Sequence, residues 1–273
     1  MKVTVCQLHD DRAIFAREWE QLVAHVRKEH SELVLLPEMP FCRWFAGSRS
    51  FDSALWNAAV QAHNEWELRL HELAPAVVLG SRPIDFGNER YNEAFVWDTE
   101  LGSRAVHAKS SLADEDGAWE GSWYNSATPD FVPLEIGSAR IGFLMCSELR
   151  KIDEVQRYKR EGVHVLATPC ATRAVMFDLW LADGRAACAL AGAYGLASNR
   201  VDDAGEFGGQ GWIISPRGEV LGLTSRDQNF LSAELDLDAA DRIKASHSRR
   251  RQSAVGGAVT EREWRAKASK PNA

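Results

Sequence analysis

The stretch Ile141–Leu149, IGFLMCSEL, reads as an apolar run of strand type that ends in a cysteine. Leu149, Ile152 and Val155 then recur three apart among charges, which predicts a surface helix with one buried stripe ending near Gly162. A thiol is thereby set where a strand hands over to a helix. Working outward, FVPLEIG before this strand forms a hairpin with it, turning at Gly137 and Ser138. After the helix, VHVLATP (163–169) and YGLASN (194–199) read as strands around a helical segment over 174–193, with Gly184 a candidate interruption. GWIIS (211–215), the turn PRGE, VLGLTS and NFLSAEL (229–235) complete the strands of this half.

The first half repeats the theme without repeating the letters. KVTVCQL (2–8) is a β-branched strand, and Asp10 or Asp11 caps a helix carrying Phe15, Trp19, Leu22, Val23 and Val26 up to about His30. LVLL (33–36) is a continuous apolar run ending at Pro37, as expected of a strand covered on both faces. A second helical pattern over 50–73 places Leu55, Ala59, Ala62, Trp66, Leu70 and Leu73 on one face, and Pro75 stops it. AVVLGS (76–81) is a strand, and RYNEAFVWD (90–98) pairs with SRAVHAKS (103–110) across a turn at 99–102. Residues 111–130 lack a clean period and read as one long ordered loop. Strands alternating with helices, plus many hairpins, predict an α/β chain of two packed sheets with helices on both outer surfaces. One domain over 1–240 is expected. The polar, basic extension 241–273 is read as partly disordered or as packing on a partner subunit.

Composition narrows the class. The 273 residues carry 45% hydrophobic content, enough for a large core, and a net charge of −7 argues against a general nucleic-acid binder. Cys6, Cys42, Cys146, Cys170 and Cys188 are odd in number and widely spaced, without a CxxC pair, so neither a disulfide framework nor a zinc site is expected. A reducing, cytoplasmic setting is the simple reading, since the start lacks a signal-peptide hydrophobic region and no stretch reaches 18 apolar residues. GGQG at 208–211 lacks the Lys-Ser/Thr and the strand-to-helix context of a phosphate loop.

Four residues stand out: Glu38 and Lys109 at strand ends, Glu120 in the long loop, and Cys146. Singly, a strand-end cysteine reads as a small core hydrophobe and the others as solvated ends. Together, with VLLPEM at Glu38, HAKSSLADEDGAWEG from Lys109, IGFLMCSE, YKREGVHVLATP, YGLASNR and GGQGWIISPRGEV, the chain resembles the nitrilase, or carbon–nitrogen hydrolase, superfamily in its amidase and N-carbamoyl amidohydrolase branch. The resemblance runs to about Asp236. It departs from the family after the cysteine, where CSELRKIDEVQRY lacks the usual Pro-Glu element, and at Ala187 and Leu190, where an arginine and a glutamate are usual.

The resemblance implies a four-layer α-β-β-α sandwich, association of subunits as a homodimer or larger homo-oligomer, and a Glu–Lys–Cys triad of Glu38, Lys109 and Cys146. Glu120 matches the family's second glutamate, with Glu115 its rival. Tyr194, Asn199 and Arg200 match positions read as structural, and Cys6, Cys42, Cys170 and Cys188 are read as core or supporting residues. The implied activity is hydrolysis of a non-peptide carbon–nitrogen bond, in an amide or carbamoyl group, through a cysteine thioester. No metal or organic cofactor is required. Thiolate character at Cys146 is expected from a helix N-terminus. Pocket candidates are Trp119, Trp123, Tyr124, Phe41 to Trp44, Ser147, Glu148, Leu149, Cys170, Thr172 and Arg173, with Arg43 or Arg173 facing a substrate carboxylate. Ser147 stands where nitrilases carry tryptophan, so an amide or carbamoyl substrate is preferred. Nitrile hydrolysis, acyl transfer and a non-catalytic binding or assembly role are the alternatives.

Overall fold

The computed structural model describes residues 1–128 and 131–255. In chain order the elements are β1 (Lys2–His9), α1 (Arg12–Glu29), β2 (Leu33–Leu35), α2 (Ser53–Glu67), β3 (Val77–Phe86), β4 (Glu89–Asp98) and β5 (Gly102–Ala108). A small hairpin, β6 (Asp114–Glu115) and β7 (Ala118–Trp119), precedes β8 (Leu134–Ile136), β9 (Ala139–Phe143), α3 (Ile152–Arg160) and β10 (Val165–Pro169). Then come α4 (Phe177–Ala191), β11 (Tyr194–Val201), β12 (Trp212–Ile214), β13 (Val220–Leu223), β14 (Phe230–Glu234) and α5 (Leu237–Val255).

One sheet runs β14-β1-β2-β3-β4-β5 and the other β8-β9-β10-β11-β12-β13. They join where Gln7–His9 of β1 pair in parallel with Asn199–Val201 of β11. Each sheet has a parallel centre, β1-β2-β3 and β9-β10-β11, with antiparallel strands outside it.

The strand alternation builds the layers. Val3, Val5, Leu33, Leu35, Val165, Ala167 and Leu196 point into the core between the sheets. Cys6, Leu8, Val34 and Leu36 point to α1, while Leu166, Ala197 and Ile214 point to α3 and α4. Both faces are buried, which is why these strands read as unbroken apolar runs. A one-residue slip would exchange the inner and outer sets, so burial fixes the register. The result is the expected α-β-β-α sandwich.

Helix ends follow local chemistry. Asp11 caps α1 by accepting from the amides of Ala13 and Ile14, and His30 closes it in the left-handed conformation. The second helix differs from expectation. Asp52 starts α2 at Ser53, its buried face is Trp56, Ala59 and His63, and Leu55 is exposed. The Trp56 indole donates to Asp85 and packs on Phe45, which fixes the rotation. A separate 3-10 turn covers Leu70–Leu73. Beyond Cys146 the buried stripe is Leu149, Val155 and Tyr158, with Ile152 outside. Tyr158 takes that place because Gly142 leaves room: a β-carbon there would lie 2.7 Å from its ring. Gly184 does not interrupt α4; it lets the helix press against Trp212, 2.6 Å from where a β-carbon would be.

The long loop is partly ordered as β6, β7 and a 3-10 turn over Glu120–Ser122, with 129–130 outside the described residues. Past β14, α5 crosses the boundary expected at residue 240 without a break, with Ala240 and Ile243 buried. Of the extension, 256–273 lies outside the described residues. Among the described residues, no helix is long and apolar enough to cross a membrane.

Candidate active site

The four singled-out residues come from four chain segments and meet at the C-terminal ends of the parallel strands. Glu38 follows β2 and Pro37. Its amide donates to the Cys170 carbonyl (3.2 Å), and the buried Arg200 guanidinium donates to the carbonyls of Glu38 (2.9 Å) and Met39 (2.6 Å). Arg200 is itself paired with Asp10, so this clamp is internally charge-balanced. Lys109 lies just past β5, its amide bonded to the carbonyl of Asn92 in β4 (2.9 Å). Glu120 follows β7 and exchanges bonds with Ala113 through its amide (3.0 Å) and Oε2 (2.7 Å).

Lys109 Nζ donates to Glu38 Oε1 at 2.7 Å and to Glu120 Oε1 at 2.6 Å, and the three side chains are almost wholly buried. Asn92 Nδ2 donates to the same Glu38 oxygen at 2.7 Å. Glu38 Oε2 is buried with no hydrogen-bond partner. Burial alone would push the Lys109 pKa down, but Glu120 and Glu38 outweigh it and hold the pKa well above the ordinary value. Burial pushes the Glu38 carboxyl up to about 8; Lys109 opposes the rise, and the charges of Glu120 and Cys146 add to it.

Cys146 opens a 3-10 turn, Cys146–Arg150, at φ 45°, a left-handed conformation unfavourable for a side-chain-bearing residue. Its Sγ lies 3.5 Å from Thr172 Oγ1, with the buried Cys170 thiol, which donates to the Thr168 carbonyl at 3.4 Å, beside it. The neighbouring Cys170 side chain is the main influence holding the Cys146 pKa down to about 6; burial opposes it, and Lys109 and Thr172 assist. The expected source was a helix N-terminus. The five-residue turn is too short to supply a helix dipole, and neighbouring side chains do the work instead. The other thiols are all pushed up by burial, Cys42 to about 11.

Cys146, Lys109 and Glu120 line a cavity of about 90 Å³ together with Trp44, Ser147, Thr172 and Arg173. That is room for roughly three waters, enough for an amide head group. A cavity of about 760 Å³ elsewhere, between Met1, His30, Ala74 and Ile136, is lined by neither cysteine nor lysine. Several expected pocket residues lie outside. Arg43 is exposed and pairs with Asp11 at 2.6 Å. Trp119 lies under the Arg49 guanidinium, Trp123 packs in the core on Phe45, and Phe41 packs on Phe15 and Trp19. Cys42 is in the core, and Tyr124 is buried behind Glu120 and Lys109. Leu149 faces α3 and α4, and Glu148 is fully buried. Cys170 is buried beneath Cys146.

Sequence reasoning missed Arg150, Met176, Trp180 and Asp183 on the cavity wall, and Arg150 Nε pairs with Asp183 at 2.7 Å. Arg150 falls four residues after Cys146, a spacing that could have flagged it. Glu115, the rival glutamate, also lines the cavity, but the carboxylate bonded to Lys109 is that of Glu120.

Two packed sheets with a thiol, an ammonium and two carboxylates at their strand ends define the class. The carbon–nitrogen hydrolase profile matches residues 2–245, and the chain belongs to that family. It is 27% identical over 186 residues to the chloroplastic omega-amidase of Arabidopsis thaliana, a match covering 64% of this chain and 50% of that protein. The chain therefore spans about half the length of that relative. A 2-oxoglutaramate amidase of Paenarthrobacter nicotinovorans is 23% identical, with 83% of this chain and 79% of that protein covered. Among solved structures, a carbon–nitrogen hydrolase from Helicobacter pylori G27 superposes with a TM-score of 0.78 at 19% identity, covering 90% of this chain and 92% of that one. An amidase from Nesterenkonia sp. gives 0.72 at 17%, with 92% and 95% covered. The resemblance read from the sequence motifs is thus borne out in family and in fold.

Proposed function

We propose that this chain is an amidase that hydrolyses a small carboxylate-bearing amide through a thioester on Cys146. The observation that carries the reading is a cavity lined by a low-pKa thiol and by a lysine bonded to two glutamates. At neutral pH the proton that Cys146 has lost resides on Glu38. The thiolate attacks the amide carbon, forming the C–S bond while the carbonyl π electrons move to oxygen. Lys109 Nζ and the backbone N–H of Ser147 stabilise the oxyanion. Collapse breaks the C–N bond, and Glu38 delivers its proton to the departing ammonia or amine. Glu38, now a carboxylate, takes a proton from water as it attacks the thioester; the C–S bond breaks and the thiolate is restored. Glu120 holds Lys109 through a second bond, at 2.6 Å.

The rest of the substrate lies against the part of the cavity wall that Arg150 and Arg173 form. Arg173 Nε is buried without a partner, and neither arginine's charge is consumed inside the catalytic cluster. The names of the relatives, omega-amidase and 2-oxoglutaramate amidase, describe amides at the far end of a carboxylic acid. Ammonia release from a panel of ω-amides of dicarboxylic and 2-oxo acids, carbamoyl amino acids and nitriles tests the reading. Turnover of ω-amides, abolished in Cys146→Ala, is expected. Turnover of nitriles alone, or of none by folded protein, rejects it.

A further inference from the structure

The carboxylate two residues beyond the nucleophile is expected to form the pocket wall, yet it is fully buried and saturated. Glu148 Oε1 accepts from the amide (2.8 Å) and the hydroxyl (2.7 Å) of Ser110, and Oε2 accepts from His107 Nε2 (2.9 Å) and the Met145 amide (3.0 Å). These donors are not a random set. His107 and Ser110 flank Lys109 on its strand end, and Met145 immediately precedes Cys146. One side chain thus spans the gap between the segment presenting the ammonium and the turn presenting the thiol.

We propose that Glu148 is a positioning residue for the proposed reaction, the brace that locks the Lys109 strand end against the Cys146 turn. The inference rests on the reading of Cys146 as nucleophile. Three features fit a brace better than generic core filling. Cys146 sits in a left-handed conformation that its surroundings must enforce. Lys109, on a flexible four-carbon stem, needs a fixed backbone origin to reach two carboxylates at once. And a buried carboxylate is retained only where donors satisfy it, as four do here. Burial pushes the Glu148 pKa up, but His107 and Ser110 outweigh that and keep it below the ordinary value, so the brace is ionised and all four donors can point at it. Tyr158 lies nearby with its hydroxyl turned to the Phe143 carbonyl (2.9 Å), not to Glu148.

Glu148→Gln is the informative substitution. It keeps the shape, but its amide nitrogen must confront either the Ser110 or the Met145 N–H. The readout is the pH dependence of Cys146 alkylation by iodoacetamide in the folded enzyme, mapped by peptide mass, beside kcat and KM for ammonia release. A brace and a mere charged neighbour predict opposite signs. Removing a nearby negative charge through space would lower the thiol midpoint, whereas releasing Lys109 from its place beside the thiolate raises it. The expected result is a raised midpoint, at least tenfold slower alkylation near pH 7, and a kcat loss of tenfold or more with KM within about threefold, partly restored in Glu148→Asp. A midpoint that falls or stays overturns the proposal. Should Glu148→Gln fail to fold, Ser110→Ala decides: it removes one donor and keeps the backbone bond, a smaller rise is expected, and no rise overturns the proposal. Alkylation needs no substrate, so absence of amide turnover in the wild type would strike the proposed function and leave this test standing.

Discussion

Arg82 and Lys109 each stand between two glutamates, and the two clusters are not alike. Arg82, on β3, bonds Glu67 of α2 at 2.7 Å and Glu93 of β4 at 2.8 Å. Lys109 bonds Glu38 and Glu120 at similar distances. The Arg82 cluster keeps part of its surface in water, and both oxygens of Glu67 accept from the guanidinium. The Lys109 cluster is sealed, one Glu38 oxygen is left without a hydrogen bond, and a thiol shares its cavity. The charge pattern is therefore no mark of chemistry. What separates the proposed reactive site from the Arg82 cluster is near-complete burial combined with an unpaired carboxyl oxygen beside a polarised group.

Paired substitutions sharpen the contrast. Lys109→Met leaves two buried carboxyl groups without their cation, a loss of about 3–5 kcal/mol of stability, and removes the proposed oxyanion donor at a cost of about 10²–10³-fold in kcat. Arg82→Met, partly solvated, should cost only about 1–2 kcal/mol and leave ammonia release within twofold of wild type. Equal catalytic losses in the two variants would break the comparison; chemical unfolding and steady-state assays decide it.

With no comparable loss of stability, Glu38→Gln removes the proposed proton carrier and should lower kcat by about 10²–10⁴-fold while the protein stays folded. The pH profile follows from the same pair. Activity should rise as Cys146 ionises near 6 and fall as Glu38 loses its proton near 8, giving a bell in kcat/KM. A single limb would show that one member does not take part. The smallest expected effect is that of Cys170→Ala. If the neighbouring Cys170 side chain holds the Cys146 pKa down, its loss should move the acid limb of the profile to higher pH.

Much of this was legible in the sequence, for identifiable reasons. Strands buried on both faces announce themselves as apolar runs, and LVLL and VHVLATP were of that kind. Glu38, Lys109 and Cys146 stood at or just after strand ends, and their joint occurrence with the family motifs singled them out. What stayed hidden depends on rotation and tertiary approach. The face of α2 is set by the Asp52 cap and the Trp56 contact with Asp85, neither of which a periodicity count contains. Asn92, which holds Glu38, is one polar residue within a strand, and its buried position appears only once β5 pairs beside β4. Arg43 and Arg173 are equally plausible by type, but Asp11 draws the first away and the β6–β7 turn holds the second, through the Asp116 carbonyl (2.6 Å). Glu148 was noticed for its place after the cysteine, while its four donors come from segments distant in the chain as well as from its own turn.

The central claim is that one of five cysteines is ionised because its surroundings make it so. Competitive alkylation of the native wild type across pH 5–9, with each cysteine quantified by peptide mass, addresses it directly. The account predicts selective labelling of Cys146 with a midpoint near 6, the other four staying protected until the protein unfolds. A Cys146 midpoint at or above that of an ordinary thiol, about 8.5, would contradict it.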